Sequence, residues 1–393
     1  MTAKSRRTRV GDYYYSPHVR SVFYQLVLGL LVLAFGYYIF QTISGNLQRL
    51  GIRSGFDFLH REGQFLIAQS LIPYSENSSY LRAFFVALLN TLLVGALTIV
   101  TATTFGVTIG LMRVSRNPVI AKVAGFYVEL NRNIPLLLHL MFWYYVVIAS
   151  LPVVRQSLQF SGAVLNNRGL IVPAPSATDA YWPFVIGTGI ALVAAIVLGW
   201  QRRRRRIATG QHQKGAWLIW LPVLCVPTVI VAVLGSPLHW TAPQLTGLMY
   251  RGGVRMLPEL VAVWIGLTVY HSAYIAEIVR AGVNSVDRVQ YEASAALSFT
   301  RGKMFRLIIL PQAMRVIIPP LGNNILGIIK DTAIGAAIGY PELMQVFWVT
   351  VLFQTGQGVE IVAITLGTYL LISLVMSGLI NLYNRAYAIP GRG

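Results

Sequence analysis

RAGVNSVDRVQYEASAALSFTRGKMFRLIILPQAMRVIIPP, residues 280–320, is too polar to cross a bilayer and too regularly patterned to be an unstructured link. Ala293, Ala296 and Leu297, and later Phe305, Ile308 and Ile309, recur at helical spacing. Glu292, Arg301, Lys303 and Arg306 are left on the more exposed side. Gly302 stands between the two segments, where a small residue permits a turn. Pro311 and the pair Pro319–Pro320 are expected to interrupt helix before the next apolar run. The stretch predicts a pair of short helices beneath a membrane, showing small residues and mixed charge to water. Ala and Ser let a partner approach closely, and one carboxylate among several cations can fix its register. A solvated connector would show a similar pattern, and the pattern alone does not separate the two.

On both sides of this loop the chain becomes apolar. The whole sequence has 11% charged and 55% hydrophobic residues and a mean hydropathy of +0.61. A soluble domain carries roughly 25% charged residues, so this chain has too little polar surface to cover itself in water. Crossing a hydrocarbon core takes about 20 apolar residues, because every backbone polar group must be bonded internally. Segments 22–43, 84–112, 121–150, 183–200, 216–235, 257–281, 317–340 and 360–383 meet that need. The expected fold is an all-α membrane protein of about eight transmembrane helices.

The formal charge of +19 would suit a nucleic-acid binder. Here, however, the basic residues sit in short runs between apolar segments, as positive-inside sorting requires, and no nucleic-acid partner is expected. With both termini inside, the inner segments hold 22 Lys and Arg and the outer loops 8. The sharpest marker is Arg202–Arg206, read as an anchor beside anionic membrane lipid. The run Val22–Phe40 lacks a small-residue cleavage site at its end and is read as a retained first span. A lone cysteine, Cys225, excludes an intramolecular disulfide and a cysteine metal cluster, and reads as a small apolar filler.

Residues 1–83 are expected to give a tail, one span and a polar outer loop, and 84–150 a pair of spans. Residues 151–256 look like an insertion, with outer loops containing Pro173 and Pro175 around a two-span hairpin. Residues 257–393 hold three spans and the long inner loop. No internal repeat of the kind built into many secondary transporters is visible. Nor is there a phosphate-binding G-x-x-x-x-G-K-[ST] loop: Arg301–Met304 lacks the upstream glycine and the hydroxyl residue.

Glu292, Ala293, Ile308, Leu310 and Pro311 together resemble the EAA loop of the membrane subunits of ABC importers. Ser294 stands for its third small residue and Ser298 for its glycine, where a backbone turn depends on conformational freedom. AYIAEIVR at 273–280, RNIPLL at 132–137 and KDT at 330–332 resemble segments of the polar amino-acid branch, especially the general L-amino-acid permease subunits. The resemblance covers about 84–150 and 257–387. It implies a five-helix type I importer core within 84–387, with a coupling loop at about 282–316 that docks on separate ABC ATPase subunits. It also implies a second permease chain, read as a different one because of the extra spans, and a periplasmic amino-acid-binding protein. The location implied is the bacterial inner membrane, with no catalytic residues, metal or cofactor in this chain.

A charge at mid-bilayer costs about 2.5–3.5 kcal/mol and should face protein or water. Lys330 and Asp331 lie in the seventh expected span with Thr332, and Asn323 and Asn324 are two helical turns earlier on matching faces. Lys330 and Asp331 could meet the carboxylate and ammonium of an amino acid, or pair with each other as a clamp; the sequence leaves both open. Glu277 and Arg280 read as a structural i, i+3 pair. Arg132 and Asn133 read as supports for a bend at Pro135, and His139 and His271 as bundle-facing hydrogen-bonders. An ion-coupled secondary transporter or channel is the alternative and would need more paired, buried carboxylates. A membrane enzyme would need clustered ligands, which are not visible.

Overall fold

The computed structural model describes residues 17–49, 55–209, 220–247 and 249–387. The basic tail before Pro17, the start of the span expected at 216–235, Lys214 and Arg392 lie outside the described residues. In chain order the helices are α1 (Pro17–Arg49), α2 (Tyr80–Arg113), α3 (Pro118–Asn133), α4 (Leu136–Met141) and α5 (Tyr181–Thr209). They continue as α6 (Leu221–Leu234), α7 (Pro258–Asn284), α8 (Arg288–Ala296), α9 (Arg301–Met304), α10 (Leu310–Asp331), α11 (Leu352–Thr355) and α12 (Gly358–Tyr387).

Among the described residues, six helical stretches are long and apolar enough to cross a membrane: Arg20–Ile39, Tyr80–Arg113, Tyr181–Arg202, Pro258–Asn284, Arg301–Ile338 and Gly358–Leu382. Three shorter apolar helices join them, at Leu136–Ile148, Leu221–Leu234 and Met344–Thr355. The all-α membrane fold stands, with one apolar helix, Met344–Thr355, in what reads from sequence as an outer loop.

Three local expectations change. Helix runs through Pro319 and Pro320, which lie inside α10 and do not bound it. A proline in a bilayer helix frees a carbonyl one turn back, and neighbouring helices and local adjustments can satisfy it. Gly302 lies within α9 and makes no turn; the chain turns earlier, at Ser298, the φ +56 residue. The second short helix is therefore the start of a long one, since α9 passes through a π-helical segment, Phe305–Ile309, into α10. Cys225 is exposed on α6 and fills no core.

The centre of the fold is the contact between α2 and α7. A Cβ added at Gly106 would lie 2.5 Å from Ile275 Cβ and 2.9 Å from the Ser272 carbonyl. One turn on, a Cβ at Gly110 would meet Val279 Cβ at 2.7 Å and the Ala276 carbonyl at 2.8 Å. Lipid tails are as apolar as leucine, so helices in a bilayer are held by such close packing more than by expulsion from water. Above and below this seam, Val94, Leu140, Val263 and Leu267 fill one core and Ala102, Val279, Ile309, Ala313 and Ile317 another. At Ile134–Pro135 the expected third span breaks: α3 ends at Asn133 and α4 starts at Leu136.

The 151–256 segment holds more than a helical hairpin. Strands β1 (Leu158–Phe160), β2 (Ala163–Asn166), β3 (Gly169–Val172) and β4 (Ala174–Ala177) precede α5, and β5 (Leu238–Thr241), β6 (Gln244–Thr246), β7 (Met249–Arg251) and β8 (Val254–Met256) follow α6. They form one sheet in the order β1-β2-β3-β8 and two-stranded pairs β4-β5 and β6-β7. All pairings are antiparallel, with Ile171 opposite Arg255. Val164 and its partner Ile171 are buried, and β3 alternates between buried and half-buried residues, as expected of a strand with one covered face.

Gly106→Ala is expected to lower the unfolding free energy of the detergent-solubilised chain by about 1–3 kcal/mol, the usual cost of overpacking. Gly125→Ala in α3, where an added Cβ meets nothing within 4 Å, serves as the control. It should be neutral or stabilising by up to about 1 kcal/mol. Equal effects at the two positions would deny that the seam is tight.

Candidate functional site

The 285–300 loop is built by capping. Asp287 Oδ1 accepts from the Val289 amide at 2.9 Å and starts α8. At the other end the Ser298 amide donates to the Ala295 carbonyl at 2.9 Å and the Phe299 amide to the Ser294 carbonyl at 3.1 Å. This crossed pair is a Schellman ending, which places the residue after the C-cap in the left-handed region and favours glycine there. Ser298 occupies that position, with φ +56. The serine keeps the turn that the glycine of the EAA pattern would make, at a cost in strain of about 1–2 kcal/mol.

Small residues sort to opposite faces of α8. Ser294 is 2% exposed, and its hydroxyl donates to the Gln290 carbonyl at 2.5 Å. Ala293, Ala295, Ala296 and Glu292 are exposed, and Leu297 is 72% exposed. Glu292 pairs with Arg288 at 3.3 Å across one turn, a water-exposed pair worth little to stability. Tyr291 turns inward, its hydroxyl 3.4 Å from the Val283 carbonyl, and burial raises its phenol above the usual value. Phe305 and Ile308 pack around buried Ile309, half-buried Leu310 follows, and exposed Pro311 takes a first-turn position in α10. The loop is thus clamped on one side and bare on the other, with Ala293 and Leu297 forming part of the bare side.

The intramembrane candidates do not form one group. Lys330 and Asn323 are exposed on α10, and Lys330 forms no ion pair with Asp331 or any other described carboxylate. Thr332 is buried and donates to the Ile329 carbonyl at 2.7 Å. Asn324 Oδ1 is buried without a hydrogen-bond partner among the described residues. Asp331 faces α7, where His271 Nε2 stands 3.2 Å from Asp331 Oδ2, within ion-pair range but off the line of a hydrogen bond. The Lys330–Asp331 clamp that the sequence allows is replaced by His271–Asp331, because adjacent helical residues point about 100° apart.

His271 belongs to an aromatic array that spacing does not reveal. Its ring lies 5.3 Å from Tyr270, Tyr270 lies 5.7 Å from His139, and the Tyr270 and Tyr274 hydroxyls are 3.1 Å apart. Arg132, beside the helix break, sits over the Tyr274 ring at 5.2 Å. His139 Nε2 lies 3.2 Å from the Asn131 carbonyl. A cation, two imidazoles, two phenols and a carboxylate therefore follow one another along α7.

Two further carboxylates, Glu342 and Glu360, are buried without any motif to mark them. Glu342 is fully buried and accepts from the Met344 and Gln345 amides at 2.8 Å each and from the Tyr369 hydroxyl at 2.6 Å. It ties the short helix after it to α12. Glu360 accepts from the Gly55 amide at 2.6 Å. Glu277 bonds Arg280 at 2.5 Å, as expected, and also Arg113 of α2. Each accepts at least one bond from the protein, though Glu360 Oε2 is buried without a partner among the described residues, and no two of these carboxylates pair.

The fold and site define a helical membrane protein with an exposed, capped, small-residue loop and a polar array between its helices. The chain belongs to the family of binding-protein-dependent transport system inner membrane components, whose model matches residues 102–389. It is 42% identical over 378 residues to the putative amino-acid ABC transporter permease YhdX of Escherichia coli, covering 96% of each chain. It is 39% identical over 380 residues to the general L-amino acid transport system permease AapQ of Rhizobium johnstonii, covering 96% of this chain and 94% of that one. A third relative is the glutamate/glutamine/aspartate/asparagine transport system permease BztB of Rhodobacter capsulatus, 34% identical over 408 residues and 96% of each chain.

Ser298→Gly is expected to relieve the left-handed strain and stabilise the end of α8 by about 1 kcal/mol, or roughly fivefold slower amide exchange at Ser294–Phe299. Hydrogen exchange with mass-spectrometric readout tests this. Unchanged or faster exchange would mean that the serine is not strained.

Proposed function

We propose that this chain is the permease subunit of an ATP-binding-cassette importer and forms the translocation path for amino acids. The observation that carries this is whole-length identity of 39–42% to two amino-acid permeases, joined to the capped loop from Glu292 to Pro311. On this reading residues 84–387 are the type I transmembrane domain, 151–256 is an insertion in it, and 282–316 is the coupling segment. Residues 1–83 are a preceding tail, span and outer loop. Both termini lie on the cytoplasmic side, which the 22-to-8 distribution of Lys and Arg supports.

The ATPase subunits supply nucleotide chemistry, and closure of that pair pushes on the bare face of α8 around Glu292, Ala293 and Leu297. Ser294 and Ser298 act from beneath by holding the helix and its turn, and Ile308, Leu310 and Pro311 anchor the far end. A soluble binding protein delivers substrate, and a second, different permease chain completes the path in the lipid. Lys330 and Asn323 on the exposed face of α10, with Asp331 and Asn324 behind them and Thr332 closing the helix, line that path. A zwitterion needs a cation for its carboxylate and an anion for its ammonium, and Lys330 and Asp331 offer one each.

Glu292→Lys is expected to reduce ATP-driven uptake and co-purification of the ATPase by about 30-fold or more, the scale of reversing a docking charge, with membrane insertion unchanged. Normal ATPase capture by this variant would remove the docking role. Asp331→Ala should lower uptake by about tenfold or more, as for loss of a charged hydrogen-bonding group, while complex yield stays constant. A fall in yield alone would make Asp331 the structural partner of His271.

A further inference from the structure

The outer parts of the insertion carry unneutralised positive charge. Arg155 and Arg168 precede its hairpin and Arg251 and Arg255 follow it, and Asp179 is the sole acid between 151 and 256. The β3–β8 pairing sets Ile171 opposite Arg255, and β6–β7 sets Gln244 opposite Arg251. Arg168, Arg255, Asn166, Tyr250 and Met249 meet around a shallow cavity of about 40 Å³. Arg255 Nη2 donates to the Arg168 carbonyl at 3.4 Å. All four arginines are exposed, and none has an ion-pair partner among the described residues.

Two physical points give this charge a direction. Lys and Arg are disfavoured in outer loops by the sorting that orients the chain, yet Arg168 in the β2–β3 turn and Arg255 on β8 stand at one cavity. The cavity has room for a water or two, so it admits the tip of one side chain and excludes a free amino acid. Arginine binds carboxylates in a fork that lysine cannot make. Tyr250, with exposed Met249 and Val254 beside the arginines, adds the aromatic and flexible apolar contacts typical of protein interfaces.

We propose that this β-sheet face docks an acidic surface of the soluble substrate-delivering protein, with an Asp or Glu carboxylate of that protein seated between Arg168 and Arg255. The inference rests on the permease reading and its outer placement of 151–256, and assigns a task to the insertion that the five-helix core does not need.

The test uses the complete transporter in phosphatidylcholine proteoliposomes, titrated with the amino-acid-binding protein that supports its uptake, with ATPase stimulation as the readout. R168E/R255E is expected to raise the half-saturating concentration by about tenfold at low salt with the maximal rate unchanged. The wild-type value should rise with salt more steeply than that of the variant. R168K/R255K keeps the charge but not the fork and is expected to shift the value by about threefold. If the charge reversal fails to assemble, R168Q/R255Q takes its place, with an expected rise of about threefold or more. An unchanged half-saturating concentration overturns the proposal, as does a loss of maximal rate without such a shift. A shift seen only when anionic phospholipid is added also overturns it, assigning the arginines to headgroups. A wild-type transporter that responds to no binding protein would sink the permease reading instead.

Discussion

Two glycines one turn apart let α2 lie directly on α7, and most of the molecule is arranged around that approach. Without side chains at Gly106 and Gly110, Ile275 and Val279 reach the α2 backbone. The gain is dispersion over a long seam, the main attraction available between helices whose solvent is hydrocarbon. One pair of hydroxyls meets across the seam: Thr101 Oγ1 lies 2.7 Å from Thr268 Oγ1, and Trp264 Nε1 donates to Thr101 at 3.1 Å. The same seam brings Arg113 to Glu277 at one end. Near the other, the Asn90 side chain donates to the Pro341 carbonyl at 2.9 Å and Tyr340 donates back to the Asn90 carbonyl at 2.9 Å. Features far apart in sequence are fixed because one pair of helices is.

That arrangement separates what must be rigid from what must be free. Backbone polar groups inside a bilayer have no water to turn to, so buried Glu342 spends its oxygens on two helix-start amides and a tyrosine. The 285–300 loop obeys a different economy. Water is available there, so Ala293, Ala295, Ala296 and Leu297 stay uncovered, while Asp287 and the crossed bonds at Ser298 hold the helix that displays them. An uncovered leucine and three alanines on a capped helix form a contact surface whose shape is set before any partner arrives, which reduces the ordering cost of binding.

Reading the sequence recovered what depends on local composition. Expected spans 84–112 and 360–383 fall inside helices Tyr80–Arg113 and Gly358–Tyr387, and 257–281 matches Pro258–Asn284 but for its first residue, because apolar length decides insertion. Helix Met344–Thr355 is too short to satisfy that criterion and does not stand out in the sequence. Each strand has only three or four residues, below the length at which alternation is visible. Prolines misled for a related reason: the rule that they end helices assumes that the freed carbonyl must find water. The polar array along α7 was legible as residues but not as partners. Tyr270, His271 and Tyr274 are close in sequence, but Arg132, His139 and Asp331 reach them only through the packing of three helices.

The continuity of α9 with α10 has a mechanical consequence. Had Gly302 and the proline pair broken the chain as expected, a push at Thr300 would have been absorbed in hinges. Instead one helical path runs from Arg301 to Asp331, about 45 Å at 1.5 Å per residue. Its weak points are the π-helical segment Phe305–Ile309, where an extra residue loosens the turn, and the prolines, where backbone bonds are missing. The first lies against the α2–α7 seam through Ile309, which is fully buried. Bending there is therefore opposed by packing. Under the proposed docking role, force applied at the loop travels along this helix toward Lys330 and Asp331, and Pro319–Pro320 is where the path yields first.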